Sequence, residues 1–427
     1  MAPYLTLMTI MVKYLNRILG KIGPGIMALG FTIGTGSVTS MIVAGNEHGM
    51  DLLWVLVLSC FFSWILMNAY GRYNLVTGET ALYAMKKHIK YGNVIGIIII
   101  IGITIGQWNS LIGILGITAN AIYEALSRIL PGISSYTYGA VLIIAIVLIS
   151  TLYTVLLRGS FSLVEKVFVV FVAVMAFSFI CSLLIVIPSP KEVLSGLIPS
   201  IPDVPGGNML VAAFVGTTMA AATFLSRPLF LQGKGWDNKH MKAQSRDALV
   251  AALLIFFVSG TIMAISAAAL SGKSATINSV MDMADVLDPI LGRLAVAVFL
   301  TGVMGAGISS VFPILMITPI LIADYKNGNL DIKSRQFKQI TGVACVISLA
   351  VPIFGYNPIN AQILSQVFNV FVLPLVIVSI FYLLNKKELM GAYKASMLMN
   401  VGLLLGFVFS CVISYTGVEA IWETISN

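Results

Sequence analysis

The 427-residue chain is 58% hydrophobic and only 10% charged, with a mean hydropathy of +0.98 and a formal net charge of +8. A soluble protein carries about 25% charged residues, so the composition excludes a soluble globular domain and implies a polytopic membrane protein. The basic balance invites a nucleic-acid reading, which the placement of the charges argues against.

A membrane span needs about 20 apolar residues. The hydropathy pattern predicts eleven, at 22–46, 50–76, 93–122, 138–157, 162–188, 208–232, 245–271, 289–323, 338–356, 362–384 and 394–417. Together they make a single transmembrane domain. Lys13, Arg17 and Lys21 precede span one, and no small-x-small site follows a short apolar core, so no cleaved signal peptide is expected. Span one is interrupted by Gly34-Thr35-Gly36-Ser37. Span three is long and Gly-rich and carries the polar residues Gln107 and Asn109. Span six has a second interruption near residues 216–223, reading Gly216-Thr217-Thr218-Met219 and on to Thr223. Asp282, Asp285 and Asp288 precede span eight as a solvated loop, and Pro313 and Pro319 suggest a kink within that span. Gln366 and Asn369 in span ten are three residues apart and share a helix face. Cys60, Cys181, Cys345 and Cys411 all fall in apolar runs, as packing residues rather than a disulfide framework or metal motif.

Orientation follows from Lys and Arg placement. With these spans, 21 basic residues fall on one side and 4 on the other (Arg128, Lys191, Lys273 and Arg293), which accounts for all 25. The N-terminus is therefore expected in the cytoplasm and the C-terminus outside. The basic balance is then topology, and no nucleic-acid partner is expected. Arg227, near the inner end of span six, reads as a snorkelling or gate residue.

The two interruptions matter most. A break at membrane depth exposes backbone polar groups that lipid cannot satisfy, so it survives where it is buried in protein or lines a cavity. Paired Gly-interrupted segments in two halves of a chain are a pointer to a transporter's substrate site. They lie five spans apart, an odd number, so the matching helices run in opposite directions. Spans one to five (22–188) and six to ten (208–384) are therefore expected to form an inverted repeat, with span eleven (394–417) added.

Several stretches resemble the Nramp divalent-metal transporters. Gly23-Pro24-Gly25 precedes span one as in that family, and Ala44-Gly45-Asn46-Glu47-His48-Gly49 through Leu52-Leu53-Trp54-Val55 aligns with it without gaps. Gly305-Ala306-Gly307-Ile308-Ser309-Ser310 looks like the family's eighth helix, and Leu364-Ser365-Gln366-Val367 through Leu373-Pro374 looks like its tenth. The resemblance implies an all-α, LeuT-type fold with alternating access, broken helices one and six, and an eleventh helix. The departures from the family are as informative. The Asp-Pro-Gly-Asn metal motif falls on Gly34-Thr35-Gly36-Ser37, which has lost both carboxylate and amide. The Met-Pro-His of helix six falls on Met219-Ala220-Ala221; its Met survives as Met219, or a one-residue slip replaces it with Ala220. These losses resemble a distant prokaryotic branch, the Nramp-related magnesium transporters.

No Asp or Glu lies near the centre of a predicted span, and His48, His88 and His240 fall in loops, so an intramembrane proton relay is not expected. Stripping a bare divalent ion of water costs more than neutral oxygens return, and Mg²⁺ usually keeps several waters. The expected site is a roomy one that receives a partly hydrated ion. Its residues are Gly34, Thr35, Gly36, Ser37, Met219, Ala220, Thr223, Gln366 and Asn369, with Gly34, Ser37 and Gln366 holding metal directly or through water. The expected cargo is Mg²⁺ or Mn²⁺, the expected setting a prokaryotic plasma membrane, with lipid as the surrounding partner, and no cofactor, partner protein or enzymatic activity is implied. The competing reading is a Na⁺-coupled symporter of a small neutral solute, with span-one carbonyls, Ser309 and Ser310 as its Na⁺ site.

Overall fold

The computed structural model describes residues 25–128, 130, 132, 136–158, 170–181, 188–200, 207–270, 280–329 and 332–426. Among them, nine helical segments are long and apolar enough to cross a membrane, and they correspond to spans two to four and six to eleven. Span one is two shorter helices, Gly25–Thr32 and Thr35–His48. Of span five, Val170–Cys181 is an apolar helix, and residues 162–169 and 182–187 of its expected range lie outside the described residues.

Spans two (Leu53–Thr77), three (Gly92–Ser127), four (Thr137–Arg158) and seven (Met241–Leu270) fall within a few residues of expectation. Span eleven, Met397–Ser426, runs on beyond the predicted end. Span eight is one helix, Val280–Asn327, and it continues unbroken through Pro313 and Pro319. The positions of Asp282, Asp285 and Asp288 are therefore helical rather than loop. Hydropathy marks where a helix leaves hydrocarbon, whereas the helix itself can continue into water.

Four spans are divided: span nine is Arg335–Ser348 and Ala350–Phe354, parted only at Leu349, and the other three are broken over two residues each. Span one is interrupted at Ile33 and Gly34, so Gly36 and Ser37 already lie in the first turn of its second helix. Span six is Gly207–Thr218 and Ala221–Gly233, interrupted at Met219 and Ala220. Span ten, read from the sequence as continuous, is Pro358–Val370 and Leu373–Asn385. Pro374 sits in the first turn of that second helix, where its missing N–H leaves no helical bond unmade.

Each two-residue break frees helix-end carbonyls, and a hydroxyl from another span takes one of them. Thr217 Oγ1 donates to the Thr32 carbonyl at 2.9 Å and Ser310 Oγ to that of Gly30 at 3.0 Å. Ser63 Oγ donates to Thr218 O at 2.7 Å, and Ser414 Oγ to Val370 O at 3.2 Å. Burial places these joints at the centre. The most apolar stretches of spans six and eight are 94% and 83% buried, against 28% for spans four and eleven, which face lipid.

Polar residues near the basic ends of the spans tie the helices together there. Asp247 Oδ2 accepts from the Gly25 backbone N–H and from Arg227 Nη2, both at 2.8 Å, and Arg227 Nη2 also donates to Gln244 O at 3.3 Å. Arg227 is only 2% exposed and does not snorkel. Asp324, from span eight, accepts from the Thr80 hydroxyl and from the backbone N–H groups of Leu82 (3.0 Å) and Tyr83 (3.2 Å), capping the short helix Ala81–His88.

Asp247→Ala leaves Arg227 buried without its carboxylate, and breaking a buried pair from one side costs about 3–5 kcal/mol. Thermal unfolding in detergent should show a marked fall in midpoint for Asp247→Ala. The double variant Arg227→Met/Asp247→Leu, which removes both charges, should recover most of it.

Candidate functional site

Span three packs along spans eight and ten, and the second helix of span one packs against spans seven and ten. This brings the Gly-rich break of span one opposite the polar face of span ten. Gly34 is extended (φ −106°, ψ −168°) and its carbonyl accepts from Val38 N at 3.0 Å, starting the second helix. A methyl group built on Gly34 would overlap the Ser310 side chain, and one on Gly36 would overlap the side-chain amides of Gln362 and Gln366. These glycines bring the backbone directly against polar groups of spans eight and ten.

Gln366 and Asn369 belong to a buried network of neutral side chains. Gln107 Nε2 donates to Asn369 Oδ1 at 3.1 Å, and Asn369 Nδ2 donates to Gln366 Oε1 at 3.2 Å. Gln366 Nε2 reaches Ser110 Oγ at 3.3 Å and Ser365 Oγ at 3.2 Å. Gln362 Nε2 donates to the same Ser110 hydroxyl at 2.8 Å. Every member is buried, and no formal charge is present in it. Gln362, Ser110 and Ser365 were not singled out in the sequence. The signal was available, since Gln362 lies four residues before Gln366 on the same helical face.

The other expected residues divide. Met219 and Ala220 form the break of span six and are buried, with Met219 N bonded to Val215 O at 2.7 Å. Thr223 lies one turn further and is 4% exposed, and its hydroxyl has no partner. Ser37 turns away from span ten: its Oγ lies 3.1 Å from Ser259 Oγ on span seven. The side chain of Thr35 lies outside the described residues. Asn109 on span three donates to Ile105 O of its own helix at 3.1 Å and takes no part in the network.

Thr217 Oγ1 reaching Thr32 O also sets two helix C-termini side by side, those of Gly25–Thr32 and Gly207–Thr218. Each carries roughly half a negative charge from the aligned peptide dipoles of its helix. A cation between them meets a negative potential without a carboxylate.

Comparison with known proteins fits this arrangement. The family described as natural resistance-associated macrophage protein-like (Nramp) matches residues 25–419. The chain belongs to the Nramp family. Nramp proteins are metal-ion transporters, so this chain is an integral membrane transporter and not an enzyme. It is 25% identical over 376 residues to the divalent metal cation transporter MntH of Acidiphilium cryptum, covering 87% of this chain and 83% of that one. It superposes on the Eremococcus coleocola manganese transporter, solved with an aromatic bis-isothiourea substituted compound, with a TM-score of 0.73 at 18% identity, over 96% of this chain and 95% of the other. MhsT in complex with L-phenylalanine gives a TM-score of 0.61 at 16% identity, over 95% and 98%. These likenesses show the fold expected from the sequence, a LeuT-type all-α transporter.

The glycine contacts give this Nramp chain a ranked test. A methyl group on Gly216 would collide with the backbone carbonyl of Gln366, which cannot swing aside, whereas Gly36 faces only the ends of flexible amides. Gly216→Ala should lose the monodisperse peak in size-exclusion chromatography. Gly36→Ala should keep that peak and lose roughly tenfold in flux, the equivalent of about one displaced hydrogen bond.

Proposed function

We propose that this Nramp protein passes divalent cations by alternating access, partly hydrated Mg²⁺ above all and Mn²⁺ as well, without coupling to protons. The observation that carries this reading is the neutral amide and hydroxyl wall of Gln366 and Asn369 set against the broken first span. Stripping a divalent ion costs far more than such groups return, but they hydrogen-bond well to the water of an ion that keeps its shell. Mg²⁺ is the common biological ion that dehydrates most reluctantly. Relatives named for manganese make Mn²⁺ a natural second cargo.

In this reading Gly34, Gly36 and Ala220 supply room once spans eight and ten draw back from the break, since Gly34 and Gly36 are otherwise packed against Ser310, Gln362 and Gln366. The carbonyls at the two breaks, with Thr35, Ser37, Thr223, Gln366 and Asn369, supply acceptors as the helices rearrange. Met219 stands at the span-six break as a soft ligand available to Mn²⁺. Residues 22–188 and 208–384 act as the two inverted halves, with the N-terminus in the cytoplasm of a prokaryotic plasma membrane and the C-terminus outside. The membrane potential contributes about 2.3 kcal/mol per charge per 100 mV. A divalent ion therefore gains about 4.6 kcal/mol, or roughly three decades of accumulation, with no second ion.

Proteoliposomes test this directly. A K⁺-diffusion potential, negative inside, should drive Mg²⁺ influx in Na⁺-free buffer without acidifying the lumen. Strict dependence on Na⁺, or amino-acid flux without divalent-cation flux, would instead establish the symporter reading and sink this one.

A further inference from the structure

The network contains two acceptors that the protein leaves unused. Gln107 Oε1 and Gln362 Oε1 are buried and have no hydrogen-bond partner, and their residues are 2% and 0% exposed. A buried amide oxygen without a partner costs about 1–3 kcal/mol, and two within one network call for an explanation. At Gln362 the network sets the amide's direction: Nε2 donates to the Ser110 hydroxyl, which leaves Oε1 on the opposite side as the free acceptor. The two residues come from different helices, span three and span ten, and meet through Ser110 and the Gln366–Asn369 pair. Small residues face Gln362: Gly113 lies against its Oε1 and Gly36 against its Nε2.

We infer that Gln107 and Gln362, joined through Ser110, are specificity-determining residues that accept hydrogen bonds from the cation's bound water, so that the protein selects ions by the shell they keep. This inference rests on the divalent-cation reading above and adds span three to the site. The chemistry follows from the donor inventory. A water bound to a divalent cation has polarised protons and seeks acceptors, and an amide oxygen on a fixed frame is a neutral acceptor with two lone pairs. A bare metal ion would need carboxylates, which this wall lacks, whereas a hydrated one needs several acceptors spaced around a sphere. A network that donates internally and leaves oxygens over has that character.

The test uses the full-length protein in liposomes with Mg²⁺ and Mn²⁺ fluxes measured side by side. Gln107→Leu and Gln362→Leu should each raise the half-saturating Mg²⁺ concentration roughly tenfold, the effect of one lost hydrogen bond to a charged cluster. Mn²⁺, which sheds water more readily, should lose less, so the Mg²⁺-to-Mn²⁺ preference falls. Asn109→Ala, on the same helix but outside the network, should leave both unchanged. A probe that needs no variant guards against misfolding. Hexaamminecobalt(III) is an inert octahedral complex whose N–H groups mimic a water shell and cannot be stripped. It should inhibit Mg²⁺ influx by the wild-type protein, and less so in either Leu variant. Wild-type flux untouched by the complex, or folded Leu variants with an unchanged Mg²⁺-to-Mn²⁺ preference, overturns this inference while leaving the cation reading intact. Absence of any divalent flux in the wild type overturns both.

Discussion

A break in a membrane helix is tolerable only if something other than lipid satisfies the freed backbone groups, and this requirement organises the whole molecule. At span one the Thr32 and Gly30 carbonyls take hydroxyls from spans six and eight. At span six the Thr218 carbonyl takes Ser63 of span two, and at span ten the Val370 carbonyl takes Ser414 of span eleven. Each such bond is worth about 0.6 kcal/mol in a membrane protein, too little to fix a fold alone. Together they decide which helices must touch at the centre, and close glycine contacts such as Gly216 on the Gln366 backbone then lock those approaches.

The same pins shape the electrostatics. A carbonyl that accepts from a serine or threonine keeps a second lone pair, so it stays a possible ligand while paying no desolvation penalty. Thr217 reaching across to Thr32 brings two helix C-termini together, and their dipoles supply negative potential of the order of one charge where a carboxylate is absent. Beside them lies an uncharged wall of amides and hydroxyls. Field without fixed charge suits an ion that arrives with its own water. A fixed carboxylate would reward a stripped ion more and release it more slowly.

Much of this was legible from residues alone. Glycines in the middle of apolar runs gave away the breaks at Gly34 and near Gly216, and Gln366 and Asn369 were conspicuous because a long amide has few places to go in a membrane. Direction was harder to read than identity. Ser37 stands out by its position in the motif, and only the structure shows that the helix restarts at Thr35 and that, two residues on, the Ser37 hydroxyl lies beside Ser259. Elsewhere the inferences failed. The break in span ten has no glycine to announce it; Phe371 and Val372 read as continuous apolar helix, and only Pro374 hinted at a restart. Arg227 looked like a snorkelling residue because its partner Asp247 is 20 residues away in sequence.

The Arg227–Asp247 pair connects the breaks to the basic end of the transporter. Asp247 holds the first described residue of the broken first span through the Gly25 N–H, and holds the second helix of span six through Arg227. Both helices lead to the central breaks, where a third contact, from Thr217 at the end of span six's first helix to Thr32, joins the two spans. The two discontinuous spans are thus tied at their centre and at one end, so neither half-helix can swing away at the basic end without unpairing a nearly buried charge. Opening at that end must therefore be offset by something gained in the open state. Water reaching Arg227 and Asp247 is the natural compensation, because hydration removes the desolvation cost that makes the unpaired charge expensive. On this argument the contact at the basic end is held by the dryness around one ion pair as much as by the pair itself, and water admitted there would loosen it.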